Sequence, residues 1–360
     1  MKFRVQRWAD AATVLAVTLT FACDPFHVTF DEVEPADTYE RSERVSAPDP
    51  EGSVEVMSYN IKFGGGRIDF FFDCHGDRVL MTHDEVIANL ERVAKLINAV
   101  DPDILLLEEV DVNSKRSAYI DQLQWLLDHT DLNYGAYGSQ WRADFVPSDG
   151  LGPVDSGTAI LSRWPLRNAT RYSLPLREDQ SAIVQYFYLQ RNILEASVDV
   201  GDERVQVIAV HTEAYSQDGT KQKHIEAFEQ HLDDAAEKGM VIAGGDLNTL
   251  PPGSEKLRDF ADSACEEEFL ADDFRQEADW LDSLYDHYNS AIPLADYQSD
   301  NTPYFSHSTS KDQFWNRTLD YLYSNQPLSN GAVLQGETGG VEAMNASDHA
   351  PLVVEMDITP

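Results

Sequence analysis

VIAGGDLNTLPPG (residues 241–253) runs from three apolar residues through a glycine pair into Asp246, Leu247 and Asn248, then into a proline-bearing loop. The apolar run reads as a buried strand, and the Pro pair beyond Asn248 closes it. Side chains alternate across a strand, so Asp246 and Asn248 point to the same side at its end. The two glycines allow backbone and substrate to approach closely there. A lone Asp or Asn after a strand is ordinarily a turn residue, so the reading depends on whether the pattern recurs.

It recurs at three further strand ends and once before a strand. Asn60 ends VEVMSYNI (54–61), Glu108 and Glu109 end DILLLEEV (103–110), and His211 ends RVQVIAVHT (204–212). TLDYLYS (318–324) reads as a further strand, and Asp348 and His349 precede APLVVEMDI (350–358). Carboxylates at the ends of buried strands cost free energy unless cations or donors meet them. Their oxygens suit a hard cation such as Mg²⁺, with Mn²⁺ or Ca²⁺ as alternatives, and the two histidines offer proton transfer near neutral pH. No HExxH pattern occurs, and Cys74 and Cys265 lie away from these motifs, which argues against a zinc-protease or thiolate site.

Around these strands, 84–100 places Val86, Leu90, Val93, Ile97 and Val100 at helical spacing, and 119–129 and 218–238 read as further helices. Residues 134–140, 157–166 and 185–200 read as strands. Strands joined partly by hairpins and partly by helices predict mixed sheets packed together with helices outside, in one domain over 53–360. Residues 23–52 are acidic, carry prolines and lack a sustained period, and read as a flexible tether.

At the N-terminus, Lys2, Arg4 and Arg7 precede a twelve-residue apolar run, shorter than the ~20 residues needed to span a bilayer. Residues 1–22 therefore read as a signal peptide. LTFAC resembles a bacterial lipoprotein processing site with Cys23 as the lipidated residue; plain secretion and an uncleaved anchor are the other readings. The expected location is outside the cytoplasm, either membrane-anchored or secreted. Cys74 and Cys265 then form an even pair, a disulfide or two separate thiols.

Taken in order, YNI, DILLLEEV, GTAILSRWPL, VIAVHTEA, GGDLN, LDYLY and SDHAPL resemble the motifs of the endonuclease/exonuclease/phosphatase superfamily over residues 54–358. The resemblance implies a four-layer α/β/β/α sandwich of two mixed β-sheets, with the site at one end of the sheets. It implies a metal held by Glu109 with Asn60 and Asp348, and water oriented by Asp246 with Asn248. It also implies His349 paired with Asp320, and His211 placed to protonate the leaving oxygen. Glu108 stands where the family usually has Gln.

The implied reaction is in-line hydrolysis of a phosphate ester. A formal charge of −36, from 63 acidic against 27 basic residues, opposes non-specific nucleic-acid binding, which Lys and Arg supply. A phospholipid head group or small phosphodiester is the expected substrate, with a secreted nuclease and a catalytically silent binding protein as rivals. Nucleic acid enters only as substrate, the membrane only through the lipid anchor, and a monomer is expected. Arg163 and Arg191 sit in apolar strands, where each serves either a phosphate or a structural ion pair; Arg191 is the candidate substrate contact. IDFFFD (68–73) reads as core filling or as an exposed aromatic wedge.

Overall fold

Alternation divides each central strand between two apolar environments. Along residues 53–60, Val54 and Val56 enter a core between two sheets, whereas Met57 and Tyr59 enter a core under helices. The structure, a computed structural model, describes residues 29–49, 52–73, 76–216, 218–263, 272–309 and 314–359. The signal-peptide and Cys23 expectations, and Cys74 and Cys265, lie outside these described residues.

One seven-stranded sheet has the order β1 (Val33–Pro35), β7 (Leu166–Ser173), β8 (Asn192–Val200), β9 (Glu203–His211), β10 (Met240–Asp246), β12 (Asp320–Ser324), β11 (Asn289–Ser290). The other has the order β13 (Leu328–Val333), β16 (Leu352–Asp357), β3 (Ser53–Asn60), β4 (Ile104–Asp111), β6 (Gly152–Ser162), β5 (Tyr134–Val146), β2 (Asp37–Glu40). A short hairpin, β14 (Glu337–Thr338) and β15 (Val341–Glu342), stands apart. Both sheets are mixed: β9–β10 and β3–β4 are parallel and the other pairs antiparallel. Helices α1 (His83–Val100) and α2 (Gln122–His129) cover the outer face of the second sheet. A short α3 (Ala182–Phe187) precedes β8, and α4 (Thr220–Ala236) covers the outer face of the first sheet through Ile225, Phe228 and Leu232. The result is the expected four-layer sandwich. The start of α1 is fixed by a reciprocal cap, Glu85 N donating to Thr82 Oγ1 and Thr82 N to the Glu85 carboxylate. No helix among the described residues is long and apolar enough to cross a membrane.

Two expectations need correction. Residues 33–40, read as tether, form β1 and β2, which pair with β7 and β5 and so edge both sheets. Edge strands are held by backbone bonds along one side, so an acidic sequence suffices. Residues 185–200 are not one strand: α3 ends at Phe187 and β8 begins at Asn192.

Candidate active site

The site arises where the inter-sheet layer changes from apolar to polar. On β10, Ile242 lies in the inter-sheet core and Asp246 follows four residues later on the same face. On β9 the series Val205, Val207, Ala209 ends at His211; on β12, Leu322 is two residues from Asp320; on β4, Ile104 and Leu106 are followed by Glu108. Register then aligns them. Asp246 pairs with His211 on one side and Asp320 on the other, and Asn60 pairs with Glu108 in the facing sheet.

His349 joins the row from the segment before β16. Its Nδ1 lies 2.9 and 3.1 Å from the two Asp320 oxygens, and its Nε2 lies 3.6 Å from Asp246 Oδ2. Burial alone would lower this imidazole, but Asp320 and then Asp246 overcome it and raise it to about 10, so it is protonated at neutral pH. Asp246 is raised by burial. Its Oδ2 lies 3.2 Å from Asn60 Nδ2 and 3.3 Å from His211 Nε2. His211 is held well below its ordinary value by burial and then by Arg191. Asp246, Asp320 and His349 offer ligand atoms within 4.8 Å of one another. Because Nδ1 of His349 is already engaged by Asp320, the trio reads as a hydrogen-bonded proton-transfer unit.

Glu109 owes its direction to a β-bulge. Leu107 pairs with Ala159 and Val110 with Gly157, so Glu108 and Glu109 together oppose Thr158, and Glu109 takes a left-handed backbone (φ 56°). Glu108 remains between the sheets, fully buried, with neither carboxylate oxygen hydrogen-bonded. Burial, then Asp320 and Asp246, push it well above the carboxylate range. Glu109 instead faces a cavity of about 680 Å³, shared with Arg191, His211, Asp246, Asn248, Asp348 and His349. Asn60 and Asp320 stand behind these groups.

The carboxylates near the cavity are unequally neutralised. Asp348 lies 3.0 Å from Lys62 Nζ, which also reaches Asp73 at 3.1 Å. Asn60 donates to Glu109 at 3.2 Å and accepts from Lys62 N. Among the described residues no Lys, Arg or His side chain lies within ion-pair distance of Glu109, whose acidity is weakened by burial and then by Asp348. A half-buried carboxylate with no cation at ion-pair distance, near a second carboxylate, suits a hard divalent cation, to which Asn60 would turn its Oδ1 in place of the Nδ2 now facing Glu109. Of the carboxylates lining the cavity, Glu109 lacks an ion-pair partner among the described residues, whereas Asp348 has Lys62.

The DLN segment is fastened along its length. Thr212 N donates to Asp246 O (3.0 Å), Thr212 Oγ1 to Leu247 O (2.6 Å) and Lys221 Nζ to Asn248 O (2.8 Å). Asn248 N closes back on Asp246 Oδ1 at 2.9 Å, and Asn248 is left-handed at φ 49°. Lys221 is itself buried on Glu277 (2.8 and 3.0 Å). The glycine pair serves strand packing instead of substrate approach. A Cβ on Gly244 would lie 1.9 Å from Tyr321 O, and one on Gly245 2.0 Å from Val210 O and 2.7 Å from Glu108 Oε1.

The two arginines separate. Arg163 pairs with Asp103 at 3.1 Å and with Asp101, far along β4 from Glu109. Arg191 lines the cavity, 3.4 Å from Gln140 Oε1, with its Nε unpartnered. In the aromatic run Phe70 is fully buried, while Phe71 and Phe72 line the cavity. Lys62, Lys221 and His307, whose ring lies 4.5 Å from that of His349, escaped sequence reasoning. The only sequence signal was Lys62 two residues beyond Asn60.

A family model described as "Endonuclease/Exonuclease/phosphatase family" matches residues 57–349. No curated protein matches the chain. Among solved structures, it is similar to an endonuclease/exonuclease/phosphatase from Beutenbergia cavernae (18% identity, TM-score 0.56, 85% of this chain and 72% of that one). It is also similar to a family protein from Leptotrichia buccalis (14%, TM-score 0.52, 85% and 100%) and to a functionally unknown conserved protein from Enterococcus faecalis (17%, TM-score 0.50, 83% and 98%). These likenesses show the fold.

Proposed function

This chain belongs to the endonuclease/exonuclease/phosphatase family, and from that premise we propose that it is a metal-dependent phosphodiesterase acting on a phospholipid head group or other small phosphodiester. Members of the family are generally hydrolytic phosphoesterases that depend on a divalent metal. The observation carrying the proposal is the alignment of His211, Asp246 and Asp320 in one register, joined by His349, on a cavity that Glu109 lines with no cationic side chain at ion-pair distance among the described residues.

Glu109 and Asn60 would hold the cation, Mg²⁺ or alternatively Mn²⁺ or Ca²⁺, with Asp348 adding negative charge. When bound, such a cation neutralises the non-bridging phosphate oxygens. Asp246, fixed through both oxygens, orients the attacking water and accepts its proton. Asn248 aligns water or phosphate from the same pinned segment. His349, kept protonated and oriented through Nδ1 by Asp320, donates from Nε2 to the charge developing on phosphate. His211 gives its Nε2 proton to the departing alcohol, and the negative charge of bound phosphate opposes the burial that lowers its basicity. Arg191 meets the phosphate. The mature chain acts outside the cytoplasm, secreted or tethered through Cys23, a reading supported by the sequence of residues 1–23.

The test is hydrolysis of bis-(p-nitrophenyl) phosphate, phosphatidylinositol, sphingomyelin and plasmid DNA with Mg²⁺, Mn²⁺ or Ca²⁺. EDTA should abolish turnover, and Asp246→Ala and His349→Ala should each lower kcat/KM about a thousandfold or more. Turnover that survives EDTA, or is unchanged in either variant, would sink the mechanism. Preference for plasmid DNA would make the enzyme a nuclease.

A further inference from the structure

QSAIVQYFYLQ (180–190) contains no charged residue, in a chain of which 25% is charged. The run is apolar enough to read as a buried strand, yet the fold places it at the surface. No side chain of α3 is buried, and Ile183 and Val184 are 71% and 47% exposed. The segment is nevertheless fastened to β5: Trp141 Nε1 donates to Phe187 O at 2.9 Å, and Gln190 N to Gln140 O at 2.5 Å. An exposed apolar patch held in place by specific hydrogen bonds calls for an occupant.

Its surroundings identify one. Ile183, Val184 and Phe187 line the same cavity as Asp246 and His349, together with Phe71, Phe72 and Tyr215. Four residues after Phe187 the same segment delivers Arg191, buried, with its Nε unpartnered. One short stretch therefore presents an apolar surface and then a cation to one cavity. We propose that the wall formed by α3, Phe71 and Phe72 is a substrate subsite that takes the alkyl or acyl portion of an amphiphilic phosphodiester, with the phosphate beside Arg191 and His349. The inference rests on the phosphodiesterase reading and narrows it, because a water-soluble head-group diester alone would leave this wall empty. The continuity of the wall with the reacting groups favours the substrate over a partner protein as occupant. An uncharged chain also escapes the repulsion that a −36 surface exerts on anions.

Two measurements separate the subsite from the activity. By calorimetry, dodecylphosphocholine below its micellar concentration should bind the wild type at least about tenfold more tightly than glycerophosphocholine, since each methylene leaving water contributes up to about fourfold. Ile183→Asp combined with Val184→Asp should erase that preference, with thermal unfolding confirming that the variant folds; if it does not fold, Val184→Ser should weaken the preference. Equal binding of the two ligands by the wild type, or a preference unchanged in a folded variant, overturns the subsite. In parallel, kcat/KM for p-nitrophenyl alkyl phosphodiesters should rise about tenfold from methyl to octyl, mainly through KM. A flat series with EDTA-sensitive turnover overturns the subsite and leaves the phosphodiesterase standing. No turnover of any ester, with the dodecyl preference intact, overturns the phosphodiesterase and leaves the apolar site.

Discussion

Strands β3 and β4 run parallel, and their two ends treat acidic residues differently. At the starting end, Asp103 accepts from Glu55 N at 3.0 Å and meets Arg163 Nε at 3.1 Å. At the finishing end, Glu108 and Glu109 have no cationic side chain within ion-pair distance among the described residues, and Glu108 lacks any hydrogen bond. Carboxylates stand at both ends of one pair of strands; the difference lies between Asp103, which the fold pairs with a cation, and Glu109, which it does not. Leaving negative charge unneutralised in a dry place opposes folding, and it persists where a later cation or a proton in transit supplies the balance. The contrast separates a structural strand end from a chemical one.

The sharpest way to break the contrast is at the unneutralised end. Glu109→Gln should lower divalent-metal affinity and reduce turnover about 100- to 1,000-fold, while raising the unfolding temperature measured in EDTA. The second effect follows because burial and Asp348 make the Glu109 charge unfavourable in the folded chain. A variant that loses activity and also loses metal-free stability would show that Glu109 is structural. At the neutralised end the expectation reverses. Arg163→Met should cost about 2 kcal/mol of stability by leaving Asp103 unpaired, a figure below that of a fully buried pair because Asp101, its other partner, is 59% exposed. Turnover per folded molecule should stay at the wild-type value, and a fall in kcat at a temperature where the variant is folded would erase the distinction between the ends.

The sequence disclosed this site through strand ends, because an apolar run that breaks to Asp, Glu, Asn or His marks a position on the chain without any knowledge of neighbours. It placed Asn60, Glu109, His211, Asp246 and His349 before any register was known, while Asp320 entered through the resemblance of LDYLY; register then aligned His211, Asp246 and Asp320, with His349 held on Asp320. What stayed hidden depends on partners remote in sequence. Nothing local tells that Lys62 reaches Asp348, 286 residues away, or that Lys221 holds Asn248 O. The bulge at Glu109 was equally silent, being a mismatch of count between β4 and β6. β1 and β2 escaped because an edge strand needs backbone pairing more than an apolar face, and α3 escaped because its run is as apolar as a buried strand although none of its side chains is buried.

The smallest expected effect lies again at the starting end and gives the contrast a pH dependence. Glu55 on β3 faces Glu355 on β16, and its carboxyl is raised to about 7 by burial first, then by Glu355 and Asp103. A carboxyl whose folded value exceeds its unfolded value binds more protons in the folded chain, so stability falls as pH rises from about 4.5 to about 7 and the penalty is complete above that. Solvent reaches this half-buried group, and after that screening the penalty comes to about 1 kcal/mol or less. Glu55→Gln should therefore raise the unfolding temperature at pH 8, leave it nearly unchanged at pH 4, and leave turnover untouched. A gain equal at both pH values would mean that the carboxyl keeps its ordinary acidity, and that the starting end is neutralised throughout.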